Sequence, residues 1–236
     1  MPQIYILDKL SKTQLKDWVA LHHKCFKRGR AYAYNCYVKY RLNKPKFCMV
    51  YENDALVACY SGIFVRSNIA TIFLSTDTMS DGTIRGGSII AAENLYSHLI
   101  QVGVDLVCGY PNATIVGLRE KKLGWKFVTN LELFLMPIFI LPVNLNPLIR
   151  LNRPKYGFFR SSSGLVALGN FDKHKWSLVR LELSNVRPTW FSLNLSRFFG
   201  FGRKSLYYRV LNEKLDADLL NQFMTATYTS ASIDVP

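Results

Sequence analysis

A glycine-rich turn at residues 81–90 is the stretch of this sequence best suited to hold an anion. It lies between an apolar strand and a helix and contains Gly82, Gly86 and Gly87. A helix start presents unpaired N–H groups and the positive end of the helix dipole, and glycine lets the backbone approach a phosphate closely. The residue types therefore predict a phosphate-binding loop, although glycines alone do not identify its ligand.

A basic and aromatic segment, residues 27–46, is the second stretch whose residue types suggest binding chemistry. Its residues include Lys27, Arg28 and Arg30, interspersed with Tyr32, Tyr34, Tyr37 and Tyr40. Such a segment can neutralise and stack on nucleic acid, or it can form one wall of a substrate cleft. Alternatively, Tyr37 and Tyr40, which are at helical spacing, pack on the core while the basic residues face solvent. The sequence leaves these alternatives open.

The cysteines and histidines predict neither a disulfide framework nor a metal site. The 5 cysteines form no CxxC pair and are widely spaced, unlike the cysteines of either class of site. His22, His23 and Cys25 lie near the end of a predicted helix without an evident further ligand. We therefore expect buried thiols in a reducing compartment, and no metal.

Hydrophobic periodicity places both stretches in an α+β sheet with helices packed on it. The predicted elements are a strand at Ile4–Leu7, a helix after Ser11, antiparallel strands from Phe47, at Val57–Val65 and at Ile69–Thr76, a helix around Ile89–Ile100, a strand at Val104–Tyr110, a helix at Asn112–Leu123, and strands at Trp125–Val128 and Leu131–Met136. We expect residues 1–136 to form the core. Residues 137–236 are predicted to be an α/β extension, with strands at Leu165–Phe171 and Trp176–Leu183 and a helix at Glu213–Met224 capped by Asn212.

The composition is that of a globular protein with a strong positive charge. The 236 residues include 30 Lys and Arg against 16 Asp and Glu, for a net charge of +14. This charge favours an anionic partner: a nucleotide cofactor, a nucleotide sugar, nucleic acid or an anionic membrane face. The longest apolar run, Leu131–Val143, is interrupted by Glu and Pro and is shorter than the ~20 residues of a membrane span. With no secretory signal at the start, we expect a cytoplasmic protein, and contact with a membrane surface is left open.

Two pieces of the sequence resemble the GNAT superfamily of acyl-CoA-dependent N-acyltransferases. The first is Arg85-Gly86-Gly87-Ser88-Ile89-Ile90, which is similar to the family's pyrophosphate loop. Ser88 and Ile90 stand where the family has a glycine and a glycine or alanine. The second is Gly109-Tyr110-Pro111-Asn112 followed by Lys121-Lys122-Leu123-Gly124-Trp125, similar to the family's later strand, helix and terminal Leu-Gly-aromatic. The resemblance covers residues 3–136 and implies a GNAT-like fold.

The resemblance also implies a donor site for acetyl-CoA or another acyl-CoA. In this superfamily two central strands part, and the pantetheine arm lies in the gap. Here the backbone of Thr78, Met79 and Ser80 would hold the arm and polarise the thioester carbonyl. The N–H groups of residues 85–90 would hold the pyrophosphate. Asn112 would cap the following helix and contact the pantetheine.

Transfer to an amine further requires a base for the amine proton and an acid for the leaving thiolate. Many relatives use a tyrosine at the position of Glu120, and Glu120 could replace it only if burial raised its pKa. Tyr110, at the mouth of the strand gap, is our substitute for that acid. Asp77 and Glu93 are the candidate bases. The alternatives are that Asp77 caps a turn and that Glu93 is solvated on a helix.

The implied acceptor comes from a shorter match. Tyr37-Val-Lys-Tyr40, followed by Asn43-Lys44-Pro45, resembles a segment of a GNAT branch associated with surface-polysaccharide biosynthesis. The resemblance implies an amino sugar, carried on a nucleotide and contacted by Tyr37 and Tyr40. Two alternatives stay open: a catalytically inactive protein of the same fold that binds acyl-CoA or a partner, and a basic nucleic-acid-binding protein.

Overall fold

The computed structural model describes residues 2–41, 43–67, 70–137, 157–158, 179–184, 193–194, 197, 204–218, 220–221 and 229–231. The helices are α1 (Lys12–Phe26), α2 (Arg30–Arg41), α3 (Gly87–Gln101) and α4 (Ala113–Leu123). The strands are β1 (Gln3–Leu7), β2 (Pro45–Glu52), β3 (Ala55–Ser67), β4 (Ile72–Ser80), β5 (Leu106–Gly109), β6 (Lys126–Pro137), β7 (Gly157–Phe158), β8 (Val179–Ser184), β9 (Leu193–Asn194), β10 (Lys204–Val210) and β11 (Thr229–Ala231).

Contacts divide the chain into two compact units. Unit 1 comprises Met1–Phe64, Ile72–Trp125 and Arg209–Glu213, and unit 2 comprises Val65–Thr71, Lys126–Tyr208 and Lys214–Pro236. The predicted division into an acyltransferase core, residues 1–136, and an extension, residues 137–236, that completes the acceptor side or an interface stays a prediction.

Unit 1 contains a five-strand run in the order β1-β2-β3-β4-β5. The first pairs are antiparallel, with Gln3 opposite Tyr51 and Cys48 opposite Tyr60. In contrast, β4 and β5 are parallel, and a parallel pair requires a crossover, which α3 supplies. The sequence prediction of a mixed, mostly antiparallel sheet flanked by helices is confirmed.

Helices α1 and α2 pack around a fully buried tryptophan. Trp18 is 0% exposed, and its ring lies 6.3 Å from the ring of Tyr37 and 6.4 Å from that of Tyr40. The Tyr37 hydroxyl accepts a hydrogen bond from the Leu10 N–H at 3.3 Å, which ties α2 to the start of α1. Both tyrosines of the predicted substrate wall are therefore core residues. This outcome agrees with the alternative in which they pack and the basic residues face solvent.

A capping box fixes the start of α1. The Ser11 hydroxyl accepts the Gln14 N–H at 3.3 Å, and the Gln14 side chain accepts the Ser11 N–H at 3.0 Å. We expect Ser11→Ala to lower the free energy of unfolding by about 1 kcal/mol, because the Gln14 N–H at the helix start loses its hydroxyl acceptor. Thr13→Ala, a change at an exposed residue two positions farther along the chain, is the control. Equal denaturation midpoints for the two variants would contradict a capping role for Ser11.

Unit 2 centres on β6, which pairs antiparallel with β10 on one side and with β8 on the other. The prediction of two strands, Trp125–Val128 and Leu131–Met136, was wrong, because β6 runs continuously from Lys126 to Pro137. The register of the β6–β10 pairing shifts between Leu206 and Tyr207 of β10, and β6 continues through this point as one strand.

The predicted strand Leu165–Phe171 lies outside the described residues. The predicted Asn212 cap was also wrong, since the Asn212 side chain donates to Asp105 Oδ1 at 2.8 Å.

Candidate functional site

The parallel strands β4 and β5 part within unit 1. Their pairing runs from Ile72 opposite Leu106 to Ser75 opposite Gly109, where β5 ends, while β4 continues to Ser80. A Cβ at Gly109 would lie 3.2 Å from the Ser75 Cβ and 3.3 Å from the Trp125 ring. Only glycine fits this crowded point without a shift. Thr78, Met79 and Ser80 thus lie on the part of β4 that has no β5 partner.

Beyond β4, the glycine loop leads into α3 with a backbone geometry that demands its glycines. Gly86 is the N-cap of α3 and has a φ of +73°, a left-handed conformation that favours glycine. A Cβ at Gly87 would lie 3.1 Å from the Ala58 Cβ, so this residue lets the helix start approach the sheet. No side chain caps the helix. The loop therefore has an open helix N-terminus next to the unpaired part of β4.

Only some of the backbone N–H groups that were predicted to bind pyrophosphate are free to do so. The N–H of Gly87 donates to Ile84 O at 3.0 Å, and the N–H groups of Ile89 and Ile90 donate to Gly86 O. In contrast, the N–H groups of Arg85, Gly86 and Ser88 have no acceptor in the part of the chain that the structure describes. These three N–H groups, at the positive end of α3, are available to an anion.

The base of the loop is held by Asp81. Its carboxylate accepts the Thr83 N–H at 2.9 Å and pairs with the Lys24 ammonium at 2.9 Å. Burial opposes ionisation, but these partners outweigh it and lower the pKa of Asp81. The turn-capping role that we considered for Asp77 thus belongs to Asp81, and that alternative was wrong. Asp77 lies inside β4 instead.

Asp77 faces helices α1 and α2 in a buried polar group, which we call the Asp77 cluster: Trp18, His22, Tyr40 and Asp77. The His22 Nε2 lies 3.9 Å from Asp77 Oδ1, and the Tyr40 hydroxyl faces the same carboxylate without reaching hydrogen-bond geometry. Each member has a buried polar atom with no hydrogen bond among the described residues: Trp18 Nε1, His22 Nδ1, Tyr40 Oη and Asp77 Oδ2. Because native proteins leave few such atoms unbonded, this cluster is suited to a polar ligand.

Burial sets the protonation states in this cluster. It raises the pKa of Asp77 to about 6, against the opposing effect of the nearby Tyr40, Ser61 and Thr76 hydroxyls. It also lowers the pKa of His22 to about 4, an effect to which His23 adds. At neutral pH the carboxylate is therefore ionised and the imidazole is neutral. A carboxylate with a pKa just below neutrality is a suitable general base.

The other predicted acid–base residues lie elsewhere in unit 1. Glu93 is exposed on α3 and Glu120 is exposed on α4. Glu120 therefore lacks the burial on which its predicted role as the acid depended. Tyr110 directly follows β5, and its hydroxyl is buried. Asn112 caps α4 by accepting the Ile115 N–H at 3.1 Å, as predicted.

Arg119 is the candidate that the sequence prediction missed. Its guanidinium is buried and donates to the Ser75 hydroxyl at 3.2 Å and to the Thr78 hydroxyl. The sequence could have indicated that Arg119 points inward, because it lies four residues from both Ile115 and Leu123. It therefore occupies the inward face of α4. The motif match pointed to Glu120, the next residue, which is exposed.

The basic residues of α1 and α2 line a separate groove. It has a volume of about 530 Å³ and includes Lys12, Lys16 and Arg30 over an apolar floor. None of its lining residues belongs to the loop, to β4 or to the Asp77 cluster. The burial of Tyr37 and Tyr40 removes two of the tyrosines that nucleic-acid stacking would need.

Within the described ranges, no three His, Cys, Asp or Glu side chains come together in a way that could hold a metal ion. No helix in these ranges is long and apolar enough to cross a membrane. All five cysteines lie in this part of the chain without a disulfide. Cys48, Cys59 and Cys108 are buried as expected, whereas Cys25 and Cys36 are only half-buried.

Several solved acetyltransferases have a similar structure. A GCN5-related N-acetyltransferase from Anabaena variabilis matches over 89% of this chain and 73% of its own, with 9% identity and a TM-score of 0.53. An acetyltransferase of the GNAT family from Staphylococcus aureus Mu50 matches over 89% of this chain and 100% of its own, with 9% identity and a TM-score of 0.46. The PaiA N-acetyltransferase from Thermoplasma acidophilum, in complex with coenzyme A, matches over 53% of this chain and 91% of its own, with 12% identity and a TM-score of 0.41.

The similarity lies in the structure and not in the sequence. No family model matches the sequence, and no curated protein is significantly similar to it. The Anabaena match extends over most of this chain at a TM-score above one half. Together with the parting of β4 and β5, this match shows that the chain has the GNAT fold.

Proposed function

We propose that this protein is an acyl-CoA-dependent N-acyltransferase that acylates a primary amine. The observation that carries the proposal is the parting of β4 and β5 directly before an open helix start. This arrangement offers the donor a phosphate site and an unpaired strand edge within a few residues of each other. The fold and the +14 charge, which favours an anionic donor, support it.

The unbonded N–H groups of the glycine loop support a position for acyl-CoA. Its pyrophosphate binds the N–H groups of Arg85, Gly86 and Ser88, and its pantetheine arm runs along the Thr78–Ser80 edge of β4. Asn112, at the start of α4, contacts the arm with the part of its side chain that does not cap the helix. This placement brings the thioester toward the end of the β4–β5 pairing.

The chemistry divides between the two faces of β4. Asp77 faces α1 and α2, whereas the Thr78 hydroxyl accepts a hydrogen bond from Arg119 of α4. The amine nitrogen attacks the thioester carbonyl carbon, Asp77 takes the amine proton, and the C–S bond breaks with its electron pair on sulfur. The backbone of Thr78 to Ser80 stabilises the oxyanion, and the Tyr110 hydroxyl supplies the proton to the thiolate.

The acceptor is an amine that enters the Asp77 cluster. Its ammonium or amine hydrogens would satisfy Asp77 Oδ2, and its polar groups would satisfy the unbonded atoms of Trp18, His22 and Tyr40. An amino sugar on a nucleotide carrier fits this requirement, because it combines an amine, hydroxyls and negative charge for the basic surface. We propose this acceptor class, and with it a role in surface-polysaccharide biosynthesis in the cytoplasm.

The proposal is tested first by donor binding. Acetyl-CoA at millimolar concentration is expected to raise the melting temperature, and addition of a nucleotide amino sugar is expected to release free CoA thiol. The matched control is ADP, which carries a pyrophosphate but no thioester arm. The absence of a thermal shift with every acyl-CoA would contradict the proposal.

A second candidate is a non-catalytic protein of the same fold that holds acyl-CoA. It is favoured by the burial of Asp77, which is 3% exposed beneath α2. An acceptor can reach that carboxylate only if α2 moves or if the amine enters from the strand gap. Acyl-CoA binding without turnover across a broad amine panel would support this candidate.

A further inference from the structure

Arg119 is a buried cation with no carboxylate partner. It is 4% exposed, and in the part of the chain that the structure describes no Asp or Glu forms an ion pair with it. Its hydrogen bonds go to two neutral hydroxyls, and its Nε makes none. Burial of a charge costs several kcal/mol unless the charge is paired and hydrogen-bonded. The arrangement around Arg119 is therefore incomplete.

The guanidinium lies where β4 and β5 part. Ser75 is the last residue of β4 that pairs with β5, and Thr78 lies on the unpaired stretch beyond it. Because one nitrogen, Nη2, contacts both hydroxyls, the guanidinium spans the point of separation. It faces the same strand edge along which the proposed donor runs.

Aromatic rings hold the guanidinium in place. It lies 4.4 Å from the Trp125 ring centroid and 5.5 Å from that of Tyr60. Tyr96 fixes both rings, because its hydroxyl lies 2.8 Å from the Tyr60 hydroxyl and accepts the Trp125 Nε1–H at 2.9 Å. These rings shield the faces of the guanidinium and leave its edge for a ligand. Because Nη2 already donates to the Ser75 and Thr78 hydroxyls, the unused Nε–H remains as the donor for one charge-assisted hydrogen bond to a carboxylate.

We propose that Arg119 binds a carboxylate at the far end of the donor's acyl chain. The preferred donors are then CoA half-thioesters of short dicarboxylic acids, of the malonyl or succinyl type. This inference rests on the proposed function. The pyrophosphate site lies just past the C-terminal end of β4, so an arm that runs back along β4 from Ser80 brings the thioester to Thr78, and the acyl chain extends from there toward Ser75. The acyl group is the last part of the donor and meets Arg119.

The test compares donors that differ only in the carboxylate. Dissociation constants of the full chain are measured for succinyl-CoA and butyryl-CoA, which have the same chain length, and for malonyl-CoA and propionyl-CoA. We expect the carboxylated member of a pair to bind about 10- to 100-fold more tightly, the range for a charge-assisted hydrogen bond. Arg119→Gln is expected to remove this preference and to leave butyryl-CoA affinity within about threefold. Arg119→Lys, which keeps the charge but not the planar edge, should retain part of it.

Each outcome decides the proposal. Equal binding of succinyl-CoA and butyryl-CoA by the wild-type chain would overturn it while leaving acyl transfer intact. A carboxylate preference that survives in Arg119→Gln would overturn the role of Arg119. Failure of all four donors to bind would remove the proposed function, and this inference with it. If Arg119→Gln does not fold, the wild-type comparison still decides whether the donor site prefers a carboxylate.

Discussion

Asp77→Asn is expected to lower kcat/KM by about 10²- to 10⁴-fold and, at pH 7, to make the folded chain more stable. The loss follows from removal of the general base, whose typical contribution has this size. The gain follows from removal of a buried charge, since burial raises the pKa of Asp77 from 3.8 to about 6. That shift corresponds to on the order of 3 kcal/mol. Catalytic residues typically lower the stability of the folded protein while they support its activity.

The stability gain has a defined pH dependence. Because its pKa is raised on folding, folded Asp77 binds its proton more tightly than unfolded Asp77 between pH 3.8 and about 6. The wild-type chain therefore loses stability relative to Asp77→Asn as the pH rises through this window, and the difference levels off above about pH 6. His22 acts in the opposite direction, because burial lowers its pKa to about 4 and stability is lost as the pH falls below 6.5. Because His22 Nε2 lies 3.9 Å from Asp77 Oδ1, the difference between the two proteins reports on this pair of residues.

Glu93→Gln is the matched control, because it removes the same charge from an exposed position on α3. It is expected to change neither kcat/KM nor stability by more than a small amount. Unfolding free energies from denaturant titrations at pH 4 and pH 7 measure the stability effect, and the pH profile of kcat/KM measures the catalytic one. An Asp77→Asn variant with wild-type activity would exclude Asp77 as the base. A variant less stable than wild type at pH 7 would show that its hydrogen bonds outweigh its desolvation.

Ser88→Asp is expected to weaken acyl-CoA binding by about 30- to 1000-fold without destabilising the chain. A carboxylate at this position lies beside the proposed pyrophosphate, and repulsion of like charges there is worth about 2–4 kcal/mol. An acidic residue in the first turn of a helix is itself stabilising, by about 0.3–1 kcal/mol. Ser88 is the second residue of α3, and its N–H is one of the unbonded donors. Affinity and stability are therefore expected to move in opposite directions.

The control for this variant is Ser97→Asp, which adds the same charge to the exposed surface of α3 nine residues farther along, about 14 Å away. Calorimetric titration with CoA and with acetyl-CoA measures both affinities. Equal affinities in the two variants would show that the phosphates do not bind at the start of α3. A large loss in Ser88→Asp alone would locate them there.

Much of the fold could be predicted because its signals are local. The capping box at Ser11, the cap at Asn112 and the left-handed Gly124 after α4 are each encoded within a few residues, and the structure has all three. The merging of two predicted strands into β6 depends on distant residues instead. Ser205 of β10 donates to Asn130 at 2.7 Å and stabilises the segment that looked like a turn.

The candidate site was less predictable because its parts come from different elements. His22 and Tyr40 reach Asp77 from α1 and α2, and no local pattern places them beside β4. The motif match pointed to Glu120, whereas the helical period turns Arg119 inward. The place of Arg119 in the candidate site becomes apparent only from its packing against Trp125. Similarly, three of the six loop N–H groups that the motif offered already have acceptors, at Ile84 and Gly86.

The central claim is that the chain transfers an acyl group from CoA to an amine through Asp77. The most direct measurement is amine-dependent release of free CoA thiol, with the mass of the acylated acceptor as confirmation, for the wild-type chain, Asp77→Asn and Glu93→Gln side by side. Donors are acetyl-CoA and succinyl-CoA, and acceptors include nucleotide amino sugars. We predict release and a mass increase with the wild-type chain and Glu93→Gln, and loss of both with Asp77→Asn. Thiol release that is independent of the amine, or equal in all three proteins, would contradict the claim.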